Sequence, residues 1–143
     1  MISVYGSTGF IGSKFCKLYK QQCIEINRDC RTPQSLEILY FISTVHNYNI
    51  FENPKLDIDT NLNVLIDTLE ECRKYNPNIV FNFISSWFVY GKGHKFACSE
   101  ESYCNPTGFY SITKRAAEQM LISYCETYKI KYRILRLCNV IGV

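Results

Sequence analysis

The stretch GSTGFIG, Gly6 to Gly12, stands between an apolar run and a segment with helical periodicity. Before it, Met1 to Tyr5 is short and apolar, as a buried strand is. After it, residues 9–21 carry Phe10, Ile11, Phe15, Leu18 and Tyr19 at spacings that suit a helix. Three of the chain's seven glycines fall in this one stretch. At a strand-to-helix junction each has a distinct use. Gly6 allows the sharp turn, Gly9 lets backbone approach a pyrophosphate, and Gly12 lets helix and sheet pack closely. The helix start adds free N–H groups and a positive dipole end. Gly6, Thr8, Gly9, Phe10, Ile11 and Gly12 thus read as a cradle for a dinucleotide cofactor. The plain alternative is a structural turn.

Outward from this stretch, CIEIN (23–27) alternates as a second strand and LEILYFIS (36–43) is apolar enough for a buried third. Residues 57–75 set Ile58, Leu62, Leu65, Ile66 and Leu69 on one side of a helix that Asn76-Pro77 stops. A buried strand over 78–86, a helix over 109–128 and a last strand over 132–140 complete the pattern. Strands alternating with long helices imply an α/β fold, a doubly wound parallel sheet with helices on both faces. The link 28–37 is too short for a helical crossover. One strand–helix unit is therefore omitted, leaving about five strands in the order 2-1-3-4-5.

Composition bounds the function. The chain has 143 residues, 47% of them hydrophobic and 20% charged, which fits one globular domain over 1–143. A net charge of +3 without a Lys/Arg run points to neither a nucleic-acid nor a membrane partner. The eight cysteines form no CxxC, and the two histidines are isolated, so no zinc site is expected. No apolar leader precedes ISVYG. A reducing, cytoplasmic setting with thiols acting as small hydrophobes is the expectation.

YSITK (110–114) sets a phenol and an ammonium one helical turn apart. With 11 Tyr and 10 Lys in the chain, chance alone supplies about one such pair. Its context decides. GSTGFIG, SSWFVYG (85–91), YSITK and RLCNVIG (136–142) follow one another in an order and spacing that resembles the extended short-chain dehydrogenase/reductase family. These are nucleotide-sugar epimerases, dehydratases and reductases with a Rossmann-type cofactor domain. The resemblance runs along the whole chain.

The resemblance implies three catalytic residues, Ser86, Tyr110 and Lys114. Tyr110 would move the proton at a sugar hydroxyl, Ser86 would donate to the same oxygen, and Lys114 would hold the nicotinamide ribose. An ammonium beside the phenol should also lower the phenol's pKa. Ser86, Trp87 and Asn139 would meet the nucleotide-sugar substrate. In the family's 4,6-dehydratases the two positions after Ser86 are acidic. Trp87 and Phe88 stand there instead, which disfavours water elimination. Asn61 matches a family residue that bonds backbone near the site, and Arg136 reads as structural. Ser43 and Thr44, with Phe41, depart from the family's pattern at the third strand's end but remain small enough to line a cofactor.

INRDCR (26–31) bears on the choice of cofactor. Arg28, with Arg31 behind it, could pair the 2′-phosphate of NADP, whereas Asp29 could bond the ribose of NAD. The balance leans to NADP. The implied enzyme is an NAD(P)-dependent epimerase or reductase, with a homodimer open to it and a smaller C-terminal substrate domain to be expected beyond the sheet. A dinucleotide-binding module without turnover is the alternative.

Overall fold

The computed structural model describes residues 1–46, 48–94 and 97–142. Its strands are β1 (Ile2–Tyr5), β2 (Cys23–Glu25), β3 (Glu37–Tyr40), β4 (Val80–Ser86) and β5 (Lys131–Leu137). They form one parallel sheet in the order β2-β1-β3-β4-β5, as the short link implies. Helix α1 (Phe10–Leu18) joins β1 to β2. Between β3 and β4 lie α2 (Asn49–Glu52), α3 (Leu56–Ile58), a π-helical turn (Asp59–Asn63) and α4 (Val64–Tyr75). A 3₁₀ turn (Trp87–Tyr90) follows β4, and α5 (Phe109–Tyr128) leads into β5.

Since β2 and β3 both flank β1, the 28–37 link crosses β1 without a helix. Buried side chains of β1 take up its polar groups. The Tyr5 hydroxyl donates to Arg31 O at 2.6 Å, and Ser3 Oγ accepts from Gln34 N at 2.9 Å. A link with no ladder of its own is thereby satisfied.

Period-two alternation sorts the sheet into two faces. Tyr5, Ile38, Tyr40, Phe81 and Phe83 pack with Leu65 and Leu69 of α4 and Ala117 and Leu121 of α5, all buried. The Tyr40 ring lies 5.5 Å from that of Phe81 and 6.0 Å from that of Phe83. Truncating such a ring to alanine costs about 3–5 kcal/mol. The opposite face receives α1, which buries Gly12 and Cys16.

Element ends differ from the sequence expectation, and the ladder explains why. β3 stops at Tyr40 rather than 43 because Gly6 turns its neighbour away at φ 77°. β5 stops at Leu137, the partner of the last β4 residue, Ser86. The helix expected over 57–75 is interrupted by the π turn. Cys16, Cys72 and Cys125 are buried free thiols, pushed up by burial to about 11, 12 and 12. They act as small hydrophobes. No helix of the described residues is long and apolar enough to cross a membrane.

Candidate functional site

The carboxyl ends of the parallel strands open on one cleft of about 340 Å³. Its lining gathers Gly6, Gly9, Phe10, Ile11, Gly12, Ser43, Thr44, Ser86, Trp87, Tyr110, Lys114 and Asn139. Two expected cofactor residues are not among them. Thr8 is exposed on the turn, and Arg28 is exposed beyond the end of β2. A larger, shallower hollow of about 870 Å³ lies beside Asp29, Arg31, Asp67, Glu70 and Glu71. None of the expected catalytic residues lines it, whereas all three line the smaller cleft.

The glycine end is made of backbone. Gly6 O accepts from Gly9 N at 3.1 Å across the turn, and Gly9 caps α1 with no side-chain bond. The first N–H groups of α1 are left for a ligand. A Cβ at Gly12 would stand 2.2 Å from Gly6 O, and one at Gly6 would stand 3.0 Å from Ile42 N. Close packing at Gly12 is thus against the turn itself rather than against the sheet. This cradle fits a dinucleotide's phosphates.

The other end is made of side chains. Ser86 closes β4 and its Oγ accepts from Phe88 N at 3.3 Å, starting the 3₁₀ turn. Tyr110 and Lys114 sit one turn apart near the start of α5, both buried. Burial pushes the Tyr110 phenol up, while hydrogen bonding from Ser86 and Ser43 pulls it down. The expected lowering by Lys114 is absent. Lys114 Nζ turns instead to Ile84 O at 2.8 Å, over the Phe83 ring at 4.3 Å. Its complete burial lowers its pKa to about 7 against the pull of Glu118. An ammonium with that pKa has little charge to lend a neighbour.

Two buried carboxylates flank this pair, and sequence reading missed both. Glu118 accepts from Ser85 Oγ (2.6 Å), Arg136 Nε and Nη2 (2.9 Å each) and Arg115 Nη1 (2.7 Å). Burial alone would raise its carboxyl, yet these donors hold it below the usual range. Arg136 is structural, as expected. Asp57 is also fully buried, accepting from Thr44 Oγ1 and from Asn49 Nδ2. Its Oδ2 has no partner among the described residues. Asn61, presented by the π turn, accepts from Thr44 N at 3.0 Å and donates to Thr113 Oγ1 at 3.0 Å. It ties the end of β3 to α5, the backbone-bonding role expected of it. π turns recur at functional sites.

The aromatic pair after Ser86 completes the cleft. Trp87 and Phe88 stack at 4.8 Å, and Phe88 meets the Tyr110 ring edge-on at 6.3 Å. Trp87 Nε1 donates to Asn139 Oδ1 at 3.2 Å, so two expected substrate residues are bonded to each other.

Comparisons with known proteins agree with this geometry. Residues 34–143 match the NAD dependent epimerase/dehydratase family. UDP-glucuronate 4-epimerase 1 of Arabidopsis thaliana is 33% identical over 92 residues, 64% of this chain and 21% of that protein. The fold superposes on RMD from Pseudomonas aeruginosa complexed with NADPH, at TM-score 0.86 and 20% identity, covering 99% of this chain and 55% of that one. It also superposes on UDP-glucose 4-epimerase from Brucella ovis in complex with NAD, at TM-score 0.83 and 23% identity, covering 96% and 51%. The chain therefore spans about a fifth of the curated relative and about half of the solved structures.

Proposed function

Because the chain belongs to the NAD dependent epimerase/dehydratase family, we propose that residues 1–143 are the cofactor domain of a nucleotide-sugar epimerase, with reduction as the allied reaction. One observation carries this reading. Ser86, Tyr110 and Lys114 line the same cleft as the Gly6–Gly12 cradle.

The cofactor, when bound, supplies a hydride acceptor and donor. The chain's residues do the rest. Gly9 to Gly12 would hold the pyrophosphate at the start of α1, and Ser43 and Thr44 would line its path. Tyr110 would take or return the proton at the reacting sugar hydroxyl, and Ser86 would donate to that oxygen. Lys114 would leave Ile84 O for the cofactor's ribose. Asn139 would reach the sugar nucleotide. Arg28, exposed beyond the end of β2, would recognise a 2′-phosphate, which favours NADP over NAD. A cytoplasmic homodimer is the setting this reading carries.

Calorimetric titration with NADP and NAD, followed by an epimerisation assay on UDP-sugars, tests it. Failure to bind either cofactor would end the dinucleotide reading. A binding module without turnover is the second reading, and the engagement of Lys114 by Ile84 O favours it. Binding of cofactor with no sugar conversion under any condition would select that reading.

A further inference from the structure

We propose that Trp87 and Phe88 seat an uncharged hexose at the reacting end of the cleft and exclude a uronate, an inference that rests on the nucleotide-sugar reading above. Both residues directly follow Ser86, and the edge of Phe88 meets Tyr110. Whatever reacts between Ser86 and Tyr110 must therefore lie against these rings. They are 39% and 40% exposed, and they stack on one another at 23°. The Trp87–Asn139 bond fixes the indole plane. Fixed, half-open aromatic faces take the C–H side of a sugar ring well and a carboxylate poorly.

Charge points the same way. Lys114 is the one ionisable cation in the described lining, and its ammonium, on Ile84 O over the Phe83 ring here, is committed to the cofactor's ribose in the reading above. Ser43 Oγ is shared between Thr44 O at 2.7 Å and the Tyr110 phenol, and it carries no charge. Ser86 and Tyr110 are reserved for the reacting oxygen. Behind Thr44, which lines the cleft, the buried Asp57 side chain makes no ion pair among the described residues. A uronate's C6 carboxylate would thus lose water and find no uncommitted cation in the lining. A neutral hydroxymethyl group meets none of these penalties. Selectivity would then depart from that of the Arabidopsis relative, whose name specifies UDP-glucuronate.

Trp87 is the chain's single tryptophan, so its emission reports on this spot alone. With NAD present, UDP-glucose and UDP-glucuronate are titrated separately while tryptophan fluorescence is followed. UDP-glucose should change the emission and bind about tenfold or more tightly than UDP-glucuronate. Equal or tighter binding of the uronate overturns the inference and leaves the nucleotide-sugar reading standing. So does tight UDP-glucose binding with no change in emission. Binding of neither sugar nucleotide sinks the nucleotide-sugar reading and the inference together. Calorimetry on Trp87→Ser combined with Phe88→Ser gives a second arm, with NAD titration as the check on folding. Discrimination should fall to about threefold or less, and a double variant that still discriminates about tenfold overturns the assignment.

Discussion

At the Gly6–Gly12 end of the cleft the binding surface is backbone, and side chains are missing where a ligand would lie. At the Ser86–Tyr110 end the lining is made of side chains, and several of them are held by other side chains behind them. The first end works by empty space: a Cβ at Gly12 would stand 2.2 Å from Gly6 O. The second works by networks, with Glu118 behind Ser85 and Asn61 behind Thr44. Damage should therefore look different at the two ends. A backbone cradle loses its ligand outright, while a supported side chain loses rate, stability or pH response by degrees.

Gly12→Val gives the largest effect. The added side chain cannot be accommodated without moving the turn, so cofactor binding should vanish in calorimetry. Overpacking should also cost about 1–3 kcal/mol in urea unfolding. Retained cofactor affinity would mean that the cradle is not built by empty space. At the opposite end Tyr110→Phe should lower turnover by about 10²–10⁴-fold in an epimerisation assay, with cofactor affinity nearly constant. A loss of affinity equal to the loss of turnover would blur the contrast between the two ends.

The supporting shell comes next. Glu118→Ala strands Arg136 and Arg115 around a buried hole, and removing one partner of a buried pair costs about 3–5 kcal/mol. Denaturant unfolding measures it, and a cost below about 1 kcal/mol would show that the network is not structural. Lys114 gives a pH signature. Its folded pKa of about 7 lies below the unfolded value near ~10.4. Between those values the unfolded chain binds the extra proton, so stability should rise with pH across that window by up to a few kcal/mol. Lys114→Met should lack this rise, and a parallel pair of pH–stability curves would refute it. The smallest effect is expected from Arg28→Ala, which should weaken NADP by about tenfold and leave NAD nearly constant. Equal loss for both cofactors would assign Arg28 to general attraction.

The contrast also explains what was legible. The glycine end could be read because absent side chains are visible in a sequence: three glycines at a strand-to-helix junction admit few uses. The catalytic trio could be placed because motif order was specific. The supports were hidden. Lys114 and Glu118 stand one turn apart, a spacing that reads as an ordinary solvent-face pair. Only the pairing of Ser85 with Arg136 across β4 and β5 shows that Glu118 is interior. Asp57 sits in an outwardly polar segment, KLDID, and nothing in its neighbours signals complete burial.

The sequence by itself determined the sheet order, because a ten-residue link cannot carry a helical crossover and so must skip only one strand position. It also determined which residues share the cleft, since parallel strands with helical returns bring every strand's carboxyl end to one edge of the sheet. The state of those residues was decided by tertiary structure alone. Whether Lys114 faces a phenol or Ile84 O, and whether Asp57 meets a cation, depends on distances between segments far apart in the chain. Burial and Coulomb energy are set by those distances, and no local spacing encodes them.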